Sequence, residues 1–297
     1  MILATHGIIS SSGGSLPLLL DTYSGAAAAY SLRKLNTAYT GNAITVRRSS
    51  DNTSSDIGFD ANGNLDTTSL LAFVGAGNGF VSIWYDQSSS YNALQVTSAN
   101  QPQIVSAGAL ITMNGKPTVK FDGSNDFLVT SNYPFTTTDK VYVAHVSSVS
   151  TTTASSMVVG HYRQFNPSIF LVGYASTNRS WVVARNTANT LSAEYAFGTY
   201  SINTQYLYET QYDLLNATST LRIKNYRNNS AETMFTNGLA NNALPTFSQP
   251  ISIGATDNGG HFRLNGNIQE IVLYYNQDQS TNRALIVSNI NSFYSIY

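Results

Sequence analysis

The chain of 297 residues contains no cysteine. This absence excludes disulfide bridges, thiolate metal sites and cysteine nucleophiles, and it leaves the redox compartment open. Charge is also scarce, because Asp, Glu, Lys and Arg make up only 10% of the residues, against roughly 25% in ordinary soluble domains. The formal net charge is −1. With no basic patch for phosphates or acidic lipids, the sequence predicts neither a nucleic-acid partner nor membrane insertion.

Long apolar runs and clustered metal ligands are missing as well. The apolar run Leu16 to Leu20 is short and is broken by Pro17, so it predicts neither a membrane-spanning helix nor a cleaved export signal. The four histidines show no ligand spacing, and we predict no metal and no cofactor. The acidic loop from Asp51 to Asp60 contains oxygen ligands of the kind that calcium prefers. It lacks the regular spacing of a calcium loop, which favours a solvated loop.

The first 23 residues have the composition of an arm rather than of a packed element. A Ser-Ser-Ser-Gly-Gly stretch follows the apolar pair Ile8 and Ile9, and little else in this segment can bury itself. Two interpretations stay open: a frayed terminus, or an assembly arm that docks on a neighbouring subunit through Ile8 and Ile9. We assign residues 1–23 to the arm and residues 24–297 to one main domain.

Helical patterns occur at three places. An alanine run with apolar residues at helical spacing predicts a short helix from Ser24 to Leu35. Asp66 is placed to cap a second helix over Thr67 to Val74, which Gly75 would end. Near the C-terminus, apolar residues recur at helical intervals between Ser280 and Tyr294, and they predict a closing helix.

The rest of the chain reads as short strands separated by turn residues, which is typical of a β-sandwich. Asn114-Gly115, Asp122-Gly123, Asn237-Gly238 and Asn265-Gly266 are predicted turns. Predicted strands cover Ala43 to Arg48, Phe80 to Tyr85, Gln103 to Val105, Thr118 to Phe121, Phe127 to Val129, Val141 to Ser147, Met157 to Gly160, Ile169 to Tyr174, Trp181 to Arg185, Tyr206 to Tyr212, Thr220 to Tyr226, Ile251 to Ile253 and Ile268 to Tyr275.

Three segments together resemble the catalytic-domain family of arabinofuranosidase type, in the form found in bacteriophage virion proteins. They are YSLRKLNTAYTGNAITVRRSSDN, DIGFDANGNLDTTSLLAFVGAGNGFVSIWYDQ and ISIGATDNGGHFRLNGNIQEIVLYY. The resemblance covers roughly residues 24–297. It implies a mainly β, concanavalin A-like or LamG-like jelly-roll sandwich with two short N-terminal helices and a C-terminal helix.

The resemblance also implies which residues would carry catalysis. Enzymes of that family are retaining glycosidases, which need two carboxylates about 5–5.5 Å apart. Asp257 matches the family's acid/base residue, whereas the stretch from Asn166 to Leu171, which matches the nucleophile region, contains no carboxylate. The family's paired cysteines are missing too, so we expect the chain not to be an enzyme. Two alternatives stay open: Asp257 as a turn residue, and Asp86 as a substitute nucleophile.

A glycan contact is predicted at the end of the apolar strand and at the Asp257 turn. Aromatic faces beside hydrogen-bonding side chains are typical of sugar sites, although core packing with a capped turn explains the strand end equally. The predicted glycan-binding residues are Trp84, Tyr85, Asp86, Gln87, Asp257 and Asn258.

From these observations we expect a non-catalytic virion structural protein of a tailed bacteriophage, made in the host cytoplasm and displayed on capsid or tail. The arm would bind other virion proteins, the protein would be a homo-oligomer (a trimer or a dimer), and the displayed domain would contact host glycans. Two alternatives belong to other classes: an arabinofuranosidase-like glycoside hydrolase acting on host polysaccharide, and a stand-alone lectin-like adhesin.

Overall fold

The computed structural model describes residues 17–135, 140–161, 170–185, 191–235, 247–256 and 259–297. Its helices are α1 (Leu19–Thr22), α2 (Thr67–Val74) and α3 (Arg283–Tyr294), with single 3-10 turns at Ser98–Asn100 and Ser219–Leu221. The strands are β1 (Ala28–Ser31), β2 (Ile44–Arg48), β3 (Ser54–Ile57), β4 (Gly79–Trp84), β5 (Ala93–Leu94), β6 (Gln103–Ser106), β7 (Ala109–Leu110), β8 (Thr112–Met113), β9 (Lys116–Pro117), β10 (Val119–Asp122), β11 (Leu128–Phe135), β12 (Lys140–Val149), β13 (Ser156–Gly160), β14 (Phe170–Ala175), β15 (Arg179–Arg185), β16 (Leu191–Thr199), β17 (Tyr206–Asp213), β18 (Ile223–Arg227), β19 (Ser230–Glu232), β20 (Met234–Phe235), β21 (Phe247–Ile253) and β22 (Asn265–Tyr275).

Antiparallel pairing arranges these strands in two layers. The first layer runs β3-β2-β4-β6-β10-β22-β12-β17-β18-β19, and β1 pairs with the same edge of β22 as β10 does. The second layer runs β5-β11-β21-β13-β14-β15-β16-β20. The end of β4 pairs with β5 and joins the layers. The predicted mainly β sandwich is confirmed.

Apolar clusters lie both between the two layers and outside them. The largest lies between the two sheet layers and includes Trp84, Phe121 and Phe170. A second lies on the outer face of the first layer, where α3 and α1 cover it, with Tyr142 and Tyr274 among its members. The strands under α3 are therefore buried on both faces, which gives them nearly continuous apolar sequence rather than alternation.

The structure confirms two predicted helices and corrects one. In α2 the Asp66 carboxylate accepts the backbone N–H of Ser69 at 3.0 Å, and Gly75 ends the helix with a φ of 63°. Helix α3 lies within the predicted C-terminal segment. The helix predicted from Ser24 to Leu35 is wrong, because its centre forms β1, which pairs with β22. Small and aromatic residues buried on both faces of a strand give the same apolar run as a short helix.

Most predicted strands match the structure, but β16 and several two- or three-residue strands were not predicted, and the strand predicted from Thr220 begins only at Ile223. Asn265-Gly266 is not a turn but the start of β22, and a Cβ on Gly266 would come within 2.2 Å of the Ser148 carbonyl oxygen of β12. The polar loop after Arg48 contains the short strand β3, which pairs with β2. The Asn114-Gly115 turn is confirmed, since both residues have positive φ and connect β8 to β9.

Residues 17–23 pack on the domain instead of extending from it. Leu19 and Leu20 are buried in the cluster under α3, and the backbone N–H of Leu20 donates to the Leu35 carbonyl at 2.8 Å. The rest of the predicted arm, with Ile8 and Ile9, lies outside the described residues, so its docking on a neighbour stays a prediction. No helix in the described ranges is long and apolar enough to span a membrane.

A buried ion pair joins the central strand to the segment after β1. The Glu270 carboxylate of β22 is fully buried and receives the Arg33 guanidinium at 2.7 Å and 2.9 Å. It also accepts the hydroxyls of Ser31, at 2.8 Å, and of Tyr294 in α3, at 3.2 Å. Glu270 therefore has a structural role in the sheet.

We expect Glu270→Gln to lower the free energy of unfolding by about 3–5 kcal/mol, because removing one partner leaves an uncompensated buried guanidinium. Urea unfolding of the purified chain measures this change. The matched control is Asp213→Asn, which breaks the half-exposed Lys140–Asp213 pair and is expected to cost at most about 1 kcal/mol. Equal losses in the two variants would contradict the assignment.

Candidate functional site

The predicted glycan residues at the end of β4 lie mostly in the interior. Trp84 is fully buried in the main core, with its ring centroid 6.2 Å from that of Tyr30. Asp86 and Gln87 are only 1% and 2% exposed. Three of the four side chains at this strand end are therefore buried inside the protein.

Asp86 organises the turn that follows β4. Its Oδ1 accepts the backbone N–H of Ala29 in β1 at 2.8 Å and both the N–H and the hydroxyl of Ser88. Its Oδ2 accepts the Ser89 hydroxyl and the backbone N–H of Tyr91. A carboxylate with five donors on it has no oxygen left for a substrate, so the alternative of Asp86 as a nucleophile is wrong.

Gln87 holds the chain after β1 in a similar way. Its Oε1 accepts the backbone N–H of Leu35 at 2.7 Å, and its Nε2 donates to the carbonyls of Ser31 and Arg33. Trp84, Asp86 and Gln87 thus fix the fold. Tyr85 is partly exposed, with its hydroxyl 3.0 Å from Thr45 Oγ1, and a glycan contact there stays a prediction.

The loop expected to carry acid/base chemistry is anchored at both ends. Asp257 and Asn258 themselves lie outside the described residues. The flanking residues form a bridge, with the Thr256 N–H donating to the His261 carbonyl at 2.9 Å. Gly254, with a φ of 82°, and Gly259, with a φ of 87°, lie so close to the Phe121 and Phe127 rings that a Cβ would clash with them. The described residues on either side of positions 257 and 258 are therefore held by packing.

An aromatic wall lies at the base of the connection between β13 and β14. The Tyr133 ring stands 4.5 Å from Tyr91 and 5.3 Å from Tyr275, measured between centroids. His161, the first residue after β13, places Nε2 2.9 Å from the Tyr275 hydroxyl. Tyr133, Tyr275 and Ser89 line a cleft of about 230 Å³. No motif in the sequence marks these aromatic residues as a group, although His161 stands directly after a buried apolar strand.

The wall is uncharged at neutral pH. Burial lowers the pKa of His161 to about 3, and burial raises the pKa of Tyr275 well above its ordinary value. Neutral, partly exposed tyrosine rings suit a sugar, which offers hydroxyl groups and apolar C–H faces. The connection between His161 and Phe170 contains most of the stretch that matches the family's nucleophile region.

Glu209 and Glu270, both in the first sheet layer, form ion pairs. Glu209 is fully buried, accepts the Tyr142 hydroxyl at 3.0 Å and pairs with Arg283 at 3.2 Å. Glu270 pairs with Arg33. In the acidic loop, Asp51 is held by Arg48 and Thr53. Within the described ranges, no three His, Asp or Glu side chains are grouped as metal ligands would be.

Comparison with known proteins shows similarity to arabinofuranosidases. Residues 21–130 match the family model described as alpha-L-arabinofuranosidase B, catalytic. Among solved structures, an arabinofuranosidase complexed with arabinofuranosyl-α-1,2-xylobiose has a TM-score of 0.63 and 14% identity, covering 92% of this chain and 64% of that chain. A Glu-to-Gln mutant of a GH54 α-L-arabinofuranosidase, soaked with 4-nitrophenyl α-L-arabinofuranoside, gives 0.62 and 15% with the same coverage. The comparison with curated proteins gives no match.

These matches confirm the resemblance to the arabinofuranosidase-type family and the jelly-roll fold. The chain spans 64% of the length of the similar structures. They also correct one expectation: the prediction that the chain is not an enzyme is contradicted, because the family that residues 21–130 match is a catalytic domain. A missing glutamate in one stretch was too narrow a basis for excluding hydrolysis.

The roles of Asp86 and Tyr85 can be separated by stability. We expect Asp86→Ala to lower the free energy of unfolding by about 1–3 kcal/mol or more, because it leaves buried donors unsatisfied. Tyr85→Phe, the neighbouring control, removes one partly exposed hydroxyl and is expected to cost less than about 1 kcal/mol. Chemical denaturation measures both, and a neutral Asp86→Ala would show that the turn does not depend on this carboxylate.

Proposed function

We propose that this protein is an arabinofuranosidase-like glycoside hydrolase that removes arabinofuranosyl groups from polysaccharide at a host surface. The match of residues 21–130 to a catalytic-domain model carries the proposal. The shared fold over 92% of the chain supports it, as does the uncharged aromatic wall at Tyr133 and Tyr275. Similar structures hold an arabinofuranosyl oligosaccharide or an aryl arabinofuranoside.

Asp257 is the proposed acid/base residue. The residues that flank it are fixed by the Thr256–His261 bridge and by the close approach of Gly254 to Phe121 and of Gly259 to Phe127. A general acid must be held in position to protonate a leaving oxygen. Asp86, Glu209 and Glu270 do not supply the second carboxyl group of a two-carboxylate mechanism. Each already forms hydrogen bonds or an ion pair with other residues of the protein.

Hydrolysis of 4-nitrophenyl α-L-arabinofuranoside by the purified full chain tests the proposal. We expect release of nitrophenol, and we expect Asp257→Asn to reduce kcat by on the order of 10²–10⁴, the usual contribution of general acid–base catalysis. The control is Asp60→Asn, which changes a carboxylate in the separate loop before α2. Absence of turnover at high protein concentration, with the fold intact by circular dichroism, would refute the proposal.

The predicted setting is a separate proposal. A virion location, contacts with other virion proteins through residues 1–23 and a trimeric or dimeric state were inferred from the sequence and from the resemblance. A stand-alone adhesin has no additional support from the geometry. Light scattering after size-exclusion chromatography determines the oligomeric state, and mass spectrometry of purified particles tests the location.

A further inference from the structure

A second cleft opens on the first sheet layer, on residues that the hydrolase proposal does not use. Its volume is about 460 Å³, which lies within the range of about 300–1,000 Å³ found for small-molecule sites. Strands β2, β4, β6 and β10 and the turns beside them build it. Its lining includes Arg47, Phe80, Gln101, Lys120, Asp122 and Asp126.

Asp126 is the buried polar group of this cleft. It is 7% exposed, and its Oδ2 accepts the backbone N–H of Asp122 at 2.9 Å. Its other oxygen makes no hydrogen bond within the part of the chain that the structure describes. Burial, followed by the nearby Asp122 carboxylate, raises the pKa of Asp126 to about 7. Below that pH the group is a neutral carboxylic acid, which both donates and accepts hydrogen bonds.

The charged groups around Asp126 do not form an anion receptor. The Arg47 guanidinium is occupied by Gln101 Oε1, Asn52 Oδ1 and the Ser98 carbonyl, at 2.7, 2.8 and 3.1 Å. It also lies 4.8 Å above the centre of the Phe80 ring. Lys120 and Asp122 stand exposed at the rim with opposite signs. The ligand that matches this lining is uncharged and rich in hydroxyl groups.

Hydrogen bonds between the surrounding turns keep the cleft in one shape. Asn125 Nδ2 donates to the Ala99 carbonyl at 2.7 Å, and Gln101 Nε2 donates to the Gln95 carbonyl at 2.8 Å. The backbone N–H of Phe127 donates to the Asn100 carbonyl. The turn after β10 is thus tied to the turn before β6, and a preformed site loses little ordering entropy on binding.

We propose that this cleft binds an uncharged oligosaccharide, with the second carboxyl oxygen of Asp126 hydrogen-bonded to a sugar hydroxyl and the stacked Arg47 and Phe80 forming the adjacent wall. The site lies on the first sheet layer, between β2, β4, β6 and β10. It goes beyond the hydrolase proposal and does not depend on hydrolysis.

Titration calorimetry of the full chain with xylotriose and with maltotriose tests the site, because neither sugar contains an arabinofuranosyl bond that turnover would consume. We expect affinity at pH 5.5 to fall at least about tenfold at pH 8.5, as a group with pKa near 7 loses its proton. Asp126→Asn keeps a donor and an acceptor at every pH. It is expected to bind equally well at the two pH values.

Two blocking variants and one control complete the experiment. Asp126→Leu removes both hydrogen-bonding atoms, and Ser98→Trp, at an exposed lining position, fills the cleft without touching the core. Each is expected to weaken binding at pH 5.5 at least about tenfold, while Asp60→Asn in a distant loop leaves it unchanged. Ser98→Trp keeps the test valid if Asp126→Leu fails to fold.

Several results would overturn the proposal: no binding of either sugar at pH 5.5, wild-type binding that does not change with pH, full binding by Ser98→Trp, or binding of inorganic phosphate in place of sugar. The hydrolase proposal is tested by a separate measurement, nitrophenol release by the wild-type chain and by Asp257→Asn, so its failure can be told apart from failure of this proposal. Sugar binding without turnover supports the cleft and refutes the hydrolase, and turnover without sugar binding does the reverse.

Discussion

The pair formed by Arg33 and Glu270 is the constraint on which the arrangement of the first sheet layer depends. Glu270 lies in β22, the strand that pairs with β1, β10 and β12. A fully buried carboxylate is tolerated only when donors replace its water. Here Ser31 and Arg33 come from the chain around the end of β1, and Tyr294 comes from α3. The pair therefore fixes β1 beside β22 and α3 above both.

Dependence on distant partners also explains which elements could be predicted from the sequence. Helix α2 was predictable because its signals are local: Asp66 caps it, and Gly75 ends it with positive φ. Strand β1 was not, because its conformation is set by a partner strand more than 200 residues away. Its alanines are small enough to lie between α3 and the core, and nothing in a window of a dozen residues reports that packing.

Gly266 shows the same limit of local sequence signals: here a strong turn signal lies within a strand. Asn-Gly is a strong local turn signal, and it correctly marks the β8–β9 turn at Asn114 and Gly115. At Gly266 the glycine is needed because the Ser148 carbonyl of β12 passes too close for a Cβ. A local signal for a turn and a long-range requirement for close backbone contact use the same residue. The sequence alone does not separate them.

The sequence likewise does not show which carboxyl groups stabilise the fold and which are available to a ligand. Asp86 at the end of a strand, Glu270 within one and Asp126 in an Asp-Gly-Ser-Asn-Asp turn are indistinguishable as chemistry in the sequence. The structure separates them by the donors that each one holds: five for Asp86, four for Glu270 and one backbone N–H for Asp126. A saturated carboxylate stabilises the fold, whereas one with a free oxygen facing a cleft can serve a ligand.

The low charge of the chain gives this distinction its functional meaning. Each of the two clefts has a buried titratable group in or beside it that is neutral near pH 7 or below. His161 is neutral in the aromatic wall because burial lowers its pKa, and Asp126 is neutral below about pH 7 because burial raises its pKa. Opposite shifts of a base and an acid, with the same physical cause, keep these two buried groups neutral. A neutral group can meet a sugar hydroxyl without the cost of desolvating an ion.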